Sequence, residues 1–169
     1  MYALRRITAA DAERISRWRY PEPYGMYNGD PSSVAGLLEP RYRYHAVTDA
    51  NGDLVGYFCF GPDATISEGR RLGLYADDAL DVGLGMRPDL AGQGLGLDFV
   101  LAGLDFARET YAPSAFRLTV AAFNRRAVKV YERAGFQTIR EFGEASSRWL
   151  LMVRPEVVDE ADRTAGADS

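Results

Sequence analysis

The stretch Asp81-Val82-Gly83-Leu84-Gly85-Met86-Arg87-Pro88-Asp89-Leu90-Ala91-Gly92-Gln93-Gly94-Leu95-Gly96-Leu97 decides the fold. Leu80 to Arg87 alternates with the two-residue period of a strand. Glycines at 92, 94 and 96 then open a helix from Gly94 to Tyr111, with Leu97, Val100, Leu101, Leu104 and Ala107 on its buried side. Such a turn presents successive backbone N–H groups at a helix N-terminus, where orphan donors and the helix dipole favour a phosphate or pyrophosphate. The spacing departs from the G-x-G-x-x-G dinucleotide fingerprint, and no Gly-Lys-Ser/Thr follows as a P-loop requires. Two roles for the turn stay open at this level, a phosphate cradle or a helix start with a packing role only. Along the strand, Asp81, Gly83 and Gly85 share one face, opposite Val82, Leu84 and Met86. Two glycines on one face point either to a slot for an extended ligand or to a bulge or bend.

Outward from this unit, Leu4 to Ile7 reads as a strand, and Thr8-Ala9-Ala10-Asp11 as a capping box opening a helix that carries Ala12, Ile15 and Trp18. Two prolines and a glycine make Trp18 to Asn28 an aromatic loop. A short helix ends at Leu38. Strands follow at Tyr42 to Thr48 and Leu54 to Phe60, joined by a hairpin at Asn51-Gly52. Gly61 to Asp78 reads as a long loop or irregular strand extension. Beyond the central helix come a strand from Ala115 to Ala121, a helix from Asn124 to Ala134, and a closing hairpin of Phe136 to Phe142 with Arg148 to Val153. The order predicts an α/β (α+β) fold with a mixed, mostly antiparallel central sheet of about seven strands and about four flanking helices.

The 169 residues, 47% hydrophobic, suffice for one domain and fall short of two ordinary ones. We expect that domain over 1–154 and an acidic, disordered tail over 155–169. The tail holds five acids and one base, which accounts for the whole formal charge of −4 and leaves the body neutral. The neutral body has no basic run of the kind nucleic acid favours. No apolar run approaches the roughly 20 residues of a membrane helix, and the N-terminus lacks a signal-peptide stretch, which argues for the cytosol. One cysteine, Cys59, and one histidine, His45, exclude a disulfide and any Cys- or His-rich metal site. His45 reads as a structural or surface residue, and Cys59 as a buried apolar residue.

The stretch from Pro88 through Ala91-Gly92-Gln93-Gly94-Leu95-Gly96 resembles motif A of the GNAT superfamily of acyl-CoA-dependent N-acyltransferases, whose loop reads Q/R-x-x-G-x-G/A. Leu118-Thr119-Val120-Ala121-Ala122-Phe123-Asn124-Arg125-Arg126-Ala127-Val128-Lys129-Val130-Tyr131-Glu132-Arg133-Ala134-Gly135-Phe136 resembles motif B of the same family. The likeness is specific from Asp81 to Phe136. Before that the chain agrees only in element order, and Ala91 stands where the family usually has Arg or Gln. The resemblance implies acetyl-CoA as acyl donor. It further implies that backbone groups of Leu84, Gly85 and Met86 pair with the pantetheine arm, that the N–H groups from Gly92, Gln93, Gly94, Leu95, Gly96 and Leu97 hold the pyrophosphate, and that Asn124 contacts the cofactor.

Transfer of an acyl group from a thioester to an amine needs a deprotonated amine, a donor for the oxyanion and a proton for the leaving thiolate. Asn124 is also the expected helix N-cap. Tyr131, two helical turns beyond it on the same face, is either a core aromatic or, as the resemblance implies, the general acid. The Met86 N–H is the expected oxyanion donor. Asp81, on the glycine face, is the expected general base, with a solvated strand-start carboxylate as the alternative. Glu22 and Glu68 lie in acceptor-side loops without distinguishing features. The resemblance implies acceptor walls at Trp18 to Asn28, Gly61 to Asp78 and Glu141 to Trp149, where Tyr20, Tyr24, Met26 and Tyr27 form either an aromatic surface suited to a cation or a flat apolar group, or a loop tucked against the core. These readings lead to an N-acetyltransferase acting on the primary amine of a small molecule by direct attack in a ternary complex. A peptide or protein N-terminal acetyltransferase and a non-catalytic CoA-binding regulatory module are the alternatives. Homodimers are common among similar proteins, so a homodimer stands open beside a monomer.

Overall fold

The computed structural model describes residues 1–157, in which seven strands form one sheet in the order β1-β2-β3-β4-β5-β7-β6. In chain order these strands are β1 (Ala3–Arg6), β2 (His45–Thr48), β3 (Leu54–Phe60), β4 (Leu80–Met86), β5 (Ala115–Ala121), β6 (Gln137–Glu144) and β7 (Ser147–Pro155). The helices are α1 (Ala9–Ser16), α2 (Val34–Leu37), α3 (Ser67–Arg71), α4 (Gly96–Tyr111) and α5 (Arg125–Arg133). Every neighbouring pair is antiparallel except β4 and β5. The mixed, mostly antiparallel sheet is as the sequence predicts. One helix more than expected, α3, lies inside the stretch that reads as a loop.

The capping box opens α1 as its spacing requires: the Asp11 N–H donates to Thr8 Oγ1 at 3.2 Å and the Thr8 N–H to Asp11 Oδ2 at 2.9 Å. Arg5 on β1 also donates to Asp11, at 3.0 Å from Nη2 to Oδ1, which ties the first strand to the first helix. The hairpin between β2 and β3 is fixed by Asp49, whose Oδ1 accepts from the N–H groups of Asn51 (2.9 Å) and Asp53 (3.0 Å). The strand expected from Tyr42 begins only at His45. Pro40 starts a single tight turn through Tyr42, and Arg43 then takes a left-handed conformation at φ 51°, which breaks the extended run.

The sheet carries one apolar cluster on each side. On one side, α4 and α5 cover Phe58, Phe60, Val82, Phe116, Val120 and Met152; on the other, α1 and α2 cover Ala46 and Leu54. Gly103 of α4 lets the helix settle on the sheet, because a Cβ there would stand 2.2 Å from the Phe58 ring. His45 packs its ring 4.7 Å from that of Phe106 and 5.8 Å from that of Phe60, the structural one of its two expected roles.

The last strand runs through Pro155, and Glu156 is held by Arg108 Nε at 2.7 Å and by its own N–H to the Ser114 carbonyl at 2.9 Å. Pro155 and Glu156, expected in the tail, are thus part of the folded body, and the disorder expected for 158–169 lies outside the described residues. Among the described residues no helix is long and apolar enough to cross a membrane.

Candidate active site

The parallel pair β4 and β5 is joined only at Leu80↔Phe116 and Asp81↔Arg117; beyond these residues the strands part. The gap opens into a cleft of about 470 Å³ that reaches from β4 to the start of α4 and along α5. Leu84, Gly85, Met86, Gly92, Gly94, Gly96, Leu97, Asn124 and Tyr131 all line it. Gln93, Leu95 and Asp81 do not. The Gln93 side chain turns back to donate to the Asp89 carbonyl at 2.6 Å, and Leu95 occupies the N-cap position of α4.

At the glycine end, Gly92 (φ 77°) and Gly94 (φ 78°) adopt conformations that other residues enter at a cost, which lets the chain turn into α4. No side chain caps this helix, so its first-turn N–H groups have no side-chain acceptor, and Gly96 and Leu97 of that turn line the cleft. The Arg126 guanidinium closes over the turn. A Cβ at Gly92 would lie 2.7 Å from its Nη1, so a cation stands beside the glycines although residue 91 is alanine.

On β4 the ladder decides which backbone groups are available. The Arg87 N–H donates to the Val55 carbonyl (2.8 Å) and the Gly61 N–H to the Asp81 carbonyl (2.9 Å), so odd-numbered residues of β4 direct their groups toward β3. Leu84 and Met86 therefore turn theirs to the gap. Gly85, expected to pair with a pantetheine arm, is corrected by this register: its N–H and C=O face Tyr57 on β3. The Met86 carbonyl already accepts the Tyr20 hydroxyl at 2.7 Å, while its N–H, the expected oxyanion donor, lies on the gap side.

The two glycines of β4 also have a reason other than a ligand slot. A Cβ at Gly85 would stand 2.4 Å from the Tyr57 ring, and one at Gly83 would stand 2.6 Å from Cys59 Sγ. They make room for these cross-strand neighbours, and the slot itself comes from the parting of β4 and β5.

Asp81 is corrected as the general base. Arg117 grips both its oxygens, Nε to Oδ1 at 2.7 Å and Nη2 to Oδ2 at 2.8 Å, and the two side chains are 4% and 12% exposed. The same guanidinium donates to the carbonyls of Asp77 (3.1 Å) and Tyr75 (3.2 Å), so the pair pins the segment entering β4. It is a structural clasp. Neither Glu22 nor Glu68 lines the cleft, and Glu68 pairs with Arg71.

Tyr131 is half-buried in the cleft wall, and burial raises its hydroxyl above the ordinary phenol value, with Tyr27 adding to the shift. It accordingly stays protonated at neutral pH as a donor. Cys59 is buried and its thiol is pushed up to about 12 by that burial, which leaves little thiolate for an acyl-enzyme route.

Asn124 caps α5 through Oδ1, which accepts the Ala127 N–H at 3.2 Å, while its Nδ2 donates to the Tyr27 hydroxyl at 3.2 Å. Arg126 stacks on Tyr24, with Cζ 4.6 Å from the ring centroid. The aromatic loop is thereby fastened to Asn124 and Arg126 at the start of α5, and through the Tyr20 hydroxyl to β4. Burial pushes the Tyr20 hydroxyl up to about 12, consistent with a neutral donor to Met86. The sequence did not single out Arg126 or Tyr57, which line the cleft, whereas Asp63 and Trp149, which also line it, lie within the stretches expected as acceptor walls. Only Arg126, inside the second motif, carried a local signal.

A family model described as the acetyltransferase (GNAT) family matches residues 9–136. No curated protein sequence matches significantly. Among solved structures, a spermidine N-acetyltransferase SpeG chimera from Vibrio cholerae and hSSAT shares 19% identity over 91% of this chain and 95% of its own, with a TM-score of 0.68. The aminoglycoside acetyltransferase AAC(6')-Ib with coenzyme A shares 18% over 98% of this chain and 100% of its own, also at 0.68. A GNAT-family acetyltransferase from Bacillus anthracis shares 13% over 91% and 94%, at 0.67. At these identities the likeness establishes a common fold.

Proposed function

The chain belongs to the acetyltransferase (GNAT) family, and from that premise we propose that it transfers an acetyl group from acetyl-CoA to the primary amine of a small molecule by direct attack in a ternary complex. The observation that carries this reading is the single cleft that joins an uncapped helix N-terminus, the unpartnered edge of β4 and the Tyr131 hydroxyl. The residues present suit the donor. First-turn N–H groups of α4, with Arg126 beside them, match a pyrophosphate. The gap-facing groups of Leu84 and the Met86 N–H match an extended amide-bearing arm.

Acetyl-CoA would supply the acetyl group already activated as a thioester. The Met86 N–H offers a donor to the carbonyl oxygen as it gains charge. Tyr131 stands as the donor to the departing sulfur while the N–C bond forms and the C–S bond breaks; the proton lost by nitrogen passes to solvent or restores the phenol. A single acyl transfer needs no enzyme nucleophile, consistent with the inert Cys59.

A small acceptor is favoured over a peptide chain because the aromatic loop crosses the cleft and is fastened at Met86 and Asn124, which closes the groove a peptide would need. The test is release of CoA thiol from acetyl-CoA with a panel of primary amines and short peptides. We expect turnover with small amines and none with peptides. Tight acetyl-CoA binding without thiol release for any acceptor would instead mark a regulatory module.

A further inference from the structure

The cleft has an electrical direction. Its positive lining, Arg126 and Arg133, belongs to α5, whereas the one carboxylate among its lining residues is Asp63. Asp63 sits in the turn Pro62–Ala64 directly after β3 and accepts a hydrogen bond from the Tyr44 hydroxyl. Among the described residues no basic side chain pairs with it, in contrast to Asp81, which Arg117 neutralises. Asp30, at the edge of a smaller adjoining cavity of about 180 Å³, is used to cap the Ser32 N–H at 2.7 Å.

Asp63 is exposed at the rim of the cleft, with the Tyr44 hydroxyl on its carboxylate. Tyr44 and Tyr57 lie with ring centroids 5.9 Å apart, and both line the main cleft and the smaller cavity, as Tyr20 does. An uncompensated carboxylate among phenol rings selects a cation, through charge pairing and through the negative faces of the rings. The Tyr57 ring lies against Gly85, the residue before Met86 on β4, and lines the same cleft as Asp63.

An ammonium held by a carboxylate keeps its proton and has no lone pair with which to attack a carbonyl. The charge that Asp63 takes therefore belongs to a group other than the reacting amine. We infer that the acceptor carries two amino groups: Asp63 holds one as an ammonium beside Tyr44 and Tyr57, and the other reaches the acetyl carbon. This rests on the acetyl-transfer reading above and adds to it the substrate class and a specificity-determining residue.

The experiment compares a linear α,ω-diamine with the amino alcohol of the same length, which keeps the reacting amine and replaces the second ammonium by a hydroxyl. For the wild-type protein we expect the diamine to be preferred by about tenfold in kcat/KM, carried mainly by KM, as a charged hydrogen bond would provide. In Asp63→Asn the preference disappears, while acetyl-CoA affinity stays within about twofold. In Tyr44→Phe, which keeps the ring and removes the donor, the preference is partly retained. A wild-type protein that acetylates both compounds equally well, or an Asp63→Asn variant that still prefers the diamine, would overturn the inference and leave acetyl transfer standing. Absence of thiol release with every amine would instead overturn the transfer reading beneath it.

Discussion

The two ends of the cleft are built by different means. The end bounded by the glycine turn and α5 rests on two local devices: three glycines that open an uncapped helix, and Asn124 capping its own helix three residues on. The acceptor end is assembled from segments far apart in the chain. Tyr20 reaches Met86 across 66 residues, and Asn124 reaches Tyr27 across 97. Backbone geometry can be written into a few neighbouring residues, whereas a side-chain pocket depends on the register of the whole sheet. One end therefore suits an invariant phosphate-bearing donor, and the other can be rebuilt for a different acceptor.

Breaking the clasp that pins the entry to β4 should have the largest effect on stability. Arg117→Ala leaves the Asp81 carboxylate buried without its partner and releases the Tyr75 to Asp77 segment; denaturant unfolding should show a loss of about 3–5 kcal/mol. The double variant Arg117→Met/Asp81→Leu should recover most of that loss, because the penalty comes mainly from an unpaired buried charge. A double variant as unstable as the single one would mean that the clasp to the Tyr75 and Asp77 carbonyls dominates.

The glycine turn can be separated from general backbone strain. Gly92→Ala and Gly52→Ala both force a Cβ into the left-handed region, at φ 77° and 83°, but Gly52 has nothing within 4 Å of its added atom and Gly92 has Arg126. Each should cost about 1–2 kcal/mol of stability. Only Gly92→Ala should weaken acetyl-CoA binding, by about tenfold in calorimetric titration, as one or two charged hydrogen bonds are displaced. Equal binding by both variants would remove the turn from the donor site.

A smaller effect is expected at the bridge between the two ends. Tyr20→Phe removes the hydroxyl that the Met86 carbonyl accepts and should cost about 1 kcal/mol in kcat/KM for the amine, with acetyl-CoA affinity held. One further effect lies outside the cleft and bears only on acid stability. Arg5 and Thr8 hold the Asp11 carboxyl at about 2, below its usual 3.8. The folded value is the lower one, so its contribution is complete above about pH 3.8 and is lost as pH falls through about 2; Asp11→Asn should flatten acid unfolding over that interval.

What could be read in advance follows the same division. Thr8 with Asp11, Asn124, and the glycines from 92 to 96 announce themselves within four or five residues, and each lies where expected. The early end of β2 escaped because a left-handed Arg43 has no composition signal. The helix α3 is five residues long and shows no apolar period to read. Asp81 misled because a carboxylate on a glycine-bearing strand looks catalytic until its parallel register with Arg117 is known. Asp63 had no motif at all; only the folding of β3 against β4 and the approach of Tyr44 bring it to the cleft.

The central claim is that the cleft performs acetyl transfer with Tyr131 as the donor to the leaving sulfur. Thiol release and acetyl-CoA affinity, measured together for the wild-type protein and Tyr131→Phe, test it most directly. The expected result is a fall of about 100-fold or more in kcat, within the range for loss of a general acid, with acetyl-CoA affinity within about twofold. Unchanged turnover, or turnover and affinity falling together, would contradict it.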